Sequence, residues 1–550
     1  MSTDNENLPK TKSKRKPKAD KPLCTFPKCG PVKVLKEHIK KLSEEDAVLK
    51  QQLADRDVCI EEMEAKLRNL LGDLYAPSSE RIHLATKDGV TVEDSEAESD
   101  PLVPPMSDGK KKRGAQVGHR GHGRKIPDSI PSIEVIHEIP EDQKICHECG
   151  LSYRDLTLTE DSVEIDYEVK VILKKHRRMK AAKTCNCAVP TIITAPKTPQ
   201  IIPKGLFSTA FLALAIVRKY FFQIPLNRQI AQWEMNGLEV NAGTIIGCFE
   251  AIMVFLTPLY NLLIEVSRSQ KHWHVDETRW LMFVEKPGKI GFRWWLWVFA
   301  SKQVTVFVVD SSRSSKVPLK HFGDKAEGII NVDRYSAYHV LTVTGLIQRQ
   351  LCWYHVRRDF IHAKEGSPAL AAWAECWITD IHALDQLNNE RVACRHNDAM
   401  FAEKQVELES HLTHMTVKRD QQLESIGEKP LQLKILRSLK RNWDPLTVFV
   451  SNPDIPIHNN AAERAIRPAT LGRKNYYGNH SEWCGEFAAM SMSILQTAAQ
   501  HNLNIQAYLR YYLDACAHLG KVPEDLTNFL PWNIPEADRE ALSLGKTKSS

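Results

Sequence analysis

The chain reads as a multidomain α/β protein, on three patterns. Three β-rich runs, HWHVDETRWLMFV, FRWWLWVFAS and VTVFVVD, follow one another from Lys271 and predict a meander opening a mixed domain. Helical periodicity dominates the segments before and after them, including a heptad-like stretch near the start. Two close cysteine pairs mark a small module between these parts. At 550 residues and 42% hydrophobic content the chain can bury several cores, which suggests roughly three or four domains.

Charge is segregated rather than balanced. The net charge is only +6, but basic residues crowd at 10–21 and 110–125 while 93–100 is acidic. Separate basic blocks suit a polyanionic partner. For residues 1–30 a disordered, solvated tail with no partner is an equal reading. Thirteen cysteines, an odd number, and a start without an apolar stretch predict a reducing, cytoplasmic setting. The apolar run 207–217 is too short to cross a bilayer and is closed by Arg218 and Lys219, so it predicts a buried helix.

From 31 to 73 apolar residues recur at alternating spacings of three and four: Leu35, Ile39, Leu42, Leu49, Leu53, Ile60, Met63, Leu67 and Leu70. Asp46 and Arg56 interrupt the seam. The pattern predicts a coiled coil through which copies associate, packing against its own domain being the alternative. Gly72 ends the helix, and 74–140 is a linker. Within it, KKKRGAQVGHRGHGRK sets Gly114, Gly118, Gly121 and Gly123 among seven Lys or Arg residues. Lys111, Lys112, Arg113, Arg120 and Arg124 can there follow a phosphate backbone, or serve as a flexible basic linker.

Residues 141–200 carry Cys146 and Cys149 in KICHECG, then Cys185 and Cys187 in KTCNCAV, with the alternating run SVEIDYEVKVIL between. Four thiolates in two pairs on a hairpin meet the needs of a tetrahedral structural zinc. His147 is a substitute ligand, and four free thiols are the plain alternative. Residues 201–270 form a helical domain, in which LNRQIAQWEMNGLEVNAGTIIGCFEAI reads as helix, turn at Gly237, helix. The second helix lacks Arg and Lys over 242–252, which favours a structural role over DNA reading.

The domain from 271 to 495 holds the chemistry. Asp276 lies in the first run, on one face with His274 and Thr278, and Asp333 ends a fourth short run after Ile329, Ile330 and Val332. A carboxylate on a mid-sheet strand is costly unless something cationic meets it. Glu463, in IHNNAAERAIRP, lies on a helix where Asn460 as N-cap would make it a capping-box residue. Arg464, Arg467, Arg473 and Lys474 beside it form a basic cluster able to hold phosphates. Glu277, Asp310 and Asp324 look like bystanders, Glu277 because it faces away from Asp276. LCWYHVRRDF precedes a helical insertion at about 360–445; His355 and Arg358 are accessory candidates, though a lone histidine on a core helix is ordinarily structural. A C-terminal helical piece, 496–535, contains IQAYLRYYLDACAHL and LPWN, and 536–550 is a tail.

In HWHVDETRW, GIINVDRYSAYH, CWYHVRR, NNAAERAIRP and GRKN the chain resembles transposases of the insertion-sequence 66 family, of the Asp-Asp-Glu type. The resemblance implies an RNase H-like catalytic domain whose first and fourth strands are neighbours. It implies Mg²⁺ or Mn²⁺ held by Asp276, Asp333 and Glu463, cleavage at an element's terminal repeats, and strand transfer into target DNA. A zinc-binding domain, small accessory proteins of the same element and no membrane association are implied too. The second cysteine pair departs from the family's wider spacing. An RNase H-like nuclease without joining activity, and a catalytically inactive DNA-binding regulator, are the competing functions.

Overall fold

A computed structural model describes residues 36–52 with 56, 60 and 63, then 134–153 without 135 and 146, 169–285 without 186, and 291–543 without 325, 344, 426, 428 and 429. The basic tail, the segment with Lys111, Lys112, Arg113, Arg120 and Arg124, most of the coiled-coil seam's second half, and Cys146 lie outside the described residues. The chain divides into two units. In the smaller, α1 (residues 36–52) is helical with every residue exposed, Ile39, Leu42 and Leu49 included. Its other part is Phe360–Cys376, where the Phe360 and Trp373 rings lie 5.3 Å apart and Lys364 pairs with Glu375 at 2.7 Å.

Among the described residues the first strands of the larger unit form a short antiparallel hairpin, β1 (Lys180–Ala182) and β2 (Ile192–Thr194), in which Lys180 faces Thr194. The expected strands between the two cysteine pairs are not found at 169–173; the hairpin brackets the second pair instead. Then come α2 (Thr209–Tyr220), α3 (Leu226–Met235) and α4 (Ala242–Ser269), with Ser208 and Asn241 capping α2 and α4 by accepting from the Phe211 and Thr244 amides. The apolar run does bury, through Leu212, Ala213, Ile216 and Val217. Beyond the turn at Gly237 the helix is no compact reader but 28 residues long, because Ile245, Phe249, Ile252, Leu256, Leu259 and Leu263 keep one stripe buried throughout. By length and composition alone α4 would also suit a membrane.

The sheet comprises β3 (His272–Leu281), β4 (Arg293–Ala300), β5 (Thr305–Asp310), β6 (Gly328–Val332) and β7 (Ile347–Leu351), in the order β5-β4-β3-β6-β7. The first three strands pair antiparallel, as a meander must, and β6 and β7 add parallel to β3. The crossover from β5 to β6 carries α5 (Lys316–Phe322). Gly328 opens β6 at φ +152°, and a Cβ there would meet the Lys271 carbonyl oxygen at 2.0 Å. Only glycine lets β6 start this close to β3.

After β7, which IQRQL gave too little alternation to announce, come α6 (Trp353–Gly366), α7 (Ala371–Ala393), α8 (Asp398–Ser425), α9 (Pro430–Arg441) and the short α10 (Trp443–Leu446) and α11 (Val448–Ser451). Arg391, fully buried, binds the Phe449 and Val450 carbonyls and Gln405, joining α7, α8 and α11. Next follow α12 (Asn460–Tyr476), α13 (Glu482–Gln500), α14 (Ile505–Leu519) and α15 (Glu536–Leu542). The boundary expected at 495 falls inside α13. That helix covers the β5 edge: Ser493 and Thr497 hydroxyls accept from the Phe307 and Thr305 amides at 2.8 and 3.2 Å.

Candidate active site

Two adjacent parallel strands bring the first two carboxylates together. The β3–β6 register runs His272 to Ile329, Trp273 to Ile330 and His274 to Asn331. Continued two residues further, it sets Asp276 opposite Asp333, where β6 has just ended. Neighbouring strands lie about 4.8 Å apart, so the two backbones run side by side there, Asp276 midway along the central strand and Asp333 just past the end of β6. Asp333 is steadied by the Tyr335 amide, which donates to its Oδ1 at 2.9 Å, and Asp276 Oδ1 accepts from the Glu277 amide at 2.8 Å. Burial and the charges of Glu277, Asp276 and Asp333 hold the Tyr338 phenol pKa well above its ordinary value. All three acids therefore act on one buried ring.

The helix carrying Glu463 lies over the Asp276 face. Its N-cap is Asn459, not Asn460, and the Asn459 side chain makes no cap bond. Instead Asn459 Nδ2 donates to the Val275 carbonyl at 2.8 Å, Oδ1 lies 3.2 Å from His274 Nδ1, and the backbone amide donates to Cys352 Sγ at 3.4 Å. The capping-box reading of Glu463 is thereby overturned: the residue sits one turn inside α12, with its amide donating to the Asn459 carbonyl at 3.3 Å. At the other end of α12, Arg473 donates to Thr278 Oγ1 at 3.2 Å and to the Arg279 carbonyl. Arg473 is thus engaged in docking the helix, whereas Arg464, Arg467 and Lys474 are exposed.

Cys352 links the second and third carboxylates. Its amide donates to the Val332 carbonyl at 3.0 Å, directly before Asp333. Its Sγ, one His355 ring nitrogen and one Glu463 oxygen all lie within 4.8 Å of one another. The structure groups Glu463 this closely with Cys352 and His355, not with the two aspartates. His355 and Arg358 are half-buried on α6, whose first turn is held by Arg334: it binds the His355 carbonyl at 3.2 Å and Asp359 at 2.7 Å.

Glu277 is no bystander. It does face away from Asp276, but it is buried and meets Arg313 at 2.6 and 2.8 Å and the Tyr338 hydroxyl. Burial raises its carboxyl pKa and the charge of Asp333 adds to this, against the Tyr338 and Arg313 hydrogen bonds. Arg313 stacks on Trp295 and Tyr335, at 4.6 and 4.0 Å, and its carbonyl accepts from the Tyr335 hydroxyl at 2.7 Å. Nothing in the sequence near Glu277 announced these partners, which come from two later segments, Arg313 after β5 and Tyr338 after β6. Asp310 does behave as a turn residue, accepting from the Ser312 amide at 2.7 Å.

In the cysteine module, an Ile145–Ser152 bridge and Gly150 at φ +72° close a tight turn bearing Cys149. Cys185 and Cys187 occupy the β1–β2 loop, where hydrogen bonding from Cys187 holds the Cys185 thiol pKa below its ordinary value. All three are exposed.

The family model for the transposase IS66 family matches residues 204–487. Three proteins of Sinorhizobium fredii (strain NBRC 101917 / NGR234) are similar, each called only an uncharacterized protein. The one named y4jD is 24% identical over 440 residues, covering 76% of this chain and 83% of its own. The one named y4qI is 26% identical over 369 residues, covering 63% and 66%, and y4hP is 24% identical over 450 residues, covering 76% and 78%.

Proposed function

Since the chain belongs to the IS66 transposase family, we propose that it cuts the ends of an insertion sequence and joins them to target DNA, with Asp276, Asp333 and Glu463 as the acidic centre of an RNase H-like domain. The observation that supports this most is the β3–β6 register, which pairs Asp276 with Asp333 when extended by two residues, together with the Asn459 bond that holds the start of the Glu463 helix to β3. The strand order, an antiparallel meander extended by two parallel strands from its first member, suits that fold.

Carboxylate oxygens are the donors a hard cation such as Mg²⁺ or Mn²⁺ takes, so the residues fit the ions the family implies. When bound, such ions supply activation of the attacking hydroxyl and neutralisation of charge on the scissile phosphate. The chain's own residues position. Asn459 ties α12 to β3, Tyr335 fixes Asp333, and the exposed Arg464, Arg467 and Lys474 can hold flanking phosphates. The basic residues of 110–125 extend that grip, Cys146, Cys149, Cys185 and Cys187 hold a structural zinc, and the α1 seam pairs copies of the chain. DNA in the cytoplasm is the substrate, with small proteins of the same element as assistants.

The test is a labelled terminal-repeat end incubated with the protein, Mg²⁺ and a plasmid. Labelled plasmid is the expected product. Cleavage with no joined product would point to a nuclease, and DNA binding without cleavage to a regulator.

A further inference from the structure

We propose that Cys352, His355 and Glu463 form a second, soft-metal site for a Zn²⁺-class ion, and that filling it switches the enzyme off by taking Glu463 from the aspartates. The ligand set is the first argument. A thiol, an imidazole and a carboxylate converge within 4.8 Å. Zinc bonds of about 2.0–2.3 Å place tetrahedral ligands about 3–4 Å apart, so a closure of about 1 Å completes the site. Mg²⁺ does not take sulfur, whereas Zn²⁺ accepts all three donors. The two sites therefore select different ions while sharing one residue.

The setting is the second argument. Cys352 immediately precedes α6 and His355 lies one turn on, so the pair projects from one helical face. The helix N-terminus favours an anionic ligand such as thiolate. Cys352 Sγ already accepts from the Asn459 amide at 3.4 Å, an outer contact of the kind that orients metal ligands. Three protein ligands leave a fourth position open, the form of an exchangeable rather than a purely structural site. Because the Cys352 amide is bonded to the Val332 carbonyl beside Asp333, any ion held here borders the reaction centre.

The off-switch rests on the transposase reading; the metal site does not, and the two are tested separately. Full-length protein, Cys352→Ser and His355→Asn, each shown folded by its thermal melt, are titrated with Co²⁺. Wild type should bind one equivalent more than Cys352→Ser, with added near-ultraviolet sulfur-to-cobalt absorption, and His355→Asn should weaken that equivalent at least about ten-fold. Equal stoichiometry and equal absorption in all three proteins overturns the site. In the second arm Zn²⁺ is titrated into Mg²⁺-dependent strand transfer. Cys352→Ser should need about ten-fold more Zn²⁺ than wild type for half inhibition; equal sensitivity overturns the switch. Absence of strand transfer under every condition removes the transposase reading and the switch with it, while the cobalt titration still decides the site.

Discussion

The Asn459 side-chain amide donates to the Val275 carbonyl at 2.8 Å, fastening the start of α12 to the strand position just before Asp276. A mirror contact, Cys352 to Val332, fastens the start of α6 just before Asp333. The Asn459 amide then reaches Cys352 Sγ. The middle of β3, the end of β6 and the starts of α6 and α12 are so joined, beside the residues proposed as the acidic centre. Positioning of this kind is what phosphoryl transfer asks of a protein.

Asp276→Asn, Asp333→Asn and Glu463→Gln each remove a charge and keep shape. Cleavage and strand transfer should fall at least about 100-fold, with binding to terminal repeats retained, because the basic contacts remain. Asp310→Asn should leave both reactions near wild type. Gel-shift and strand-transfer assays on the same preparations decide it, and full activity in any one of the three variants removes that residue from the centre.

Arg313→Met leaves Glu277 buried without its cation. Complete burial of both partners would cost about 3–5 kcal/mol, but the Arg313 side chain is 39% exposed against 1% for Glu277, so about 2 kcal/mol is expected. Adding Glu277→Gln should restore part of the loss. Denaturant midpoints measure both, and an unchanged midpoint in Arg313→Met shows that the pair contributes nothing.

Buried His321 makes stability depend on pH. It stacks on Phe299 at 3.6 Å, lies 3.0 Å from the Ser267 hydroxyl, and leaves Nδ1 without a partner. Burial, helped by Arg268, lowers its pKa from 6.5 to about 3. Below pH 6.5 the unfolded chain therefore binds a proton that the folded chain refuses, and stability is lost as pH falls from 6.5 towards 3. His321→Phe should flatten this part of a melting-temperature profile. A slope identical to wild type contradicts it.

One tightly held zinc per chain is expected, and Cys149→Ser should release it and loosen the hairpin that carries Cys185 and Cys187. Metal analysis of protein purified without chelators provides the measurement; wild-type protein free of zinc counts against the module.

Residues 31–73 alone should associate at tens of micromolar, since Ile39, Leu42 and Leu49 are about 60% exposed on α1. Leu49→Asp should leave a monomer. Sedimentation showing a wild-type monomer would retire the seam.

How far the sequence reached is clearest at particular positions. Runs rich in aromatic and β-branched residues marked β3, β4 and β5, and a short Ile-rich run marked β6, because each buries side chains on at least one face of the sheet. β7 escaped, since IQRQL buries Ile347, Gln350 and Leu351 without alternating, and its strand state shows only in the pairing with β6. Asp276, Asp333 and Glu463 stood out by their local settings, but the approach of the elements that carry them did not. That approach depends on the parallel β3–β6 pairing, which Gly328 permits, and on Asn459, an N-cap residue whose side chain bonds a strand rather than its own helix. Glu277 looked ordinary, and CWYHVRR stood out without showing what Cys352 meets, for the same reason: Arg313, Asn459 and Val332 are remote in sequence, and no local pattern encodes a contact that only closure of the fold creates. The sequence determined which residue types and periodicities were present; tertiary structure decided which of them meet, because hydrogen bonds and charge act over a few ångströms of space regardless of distance along the chain.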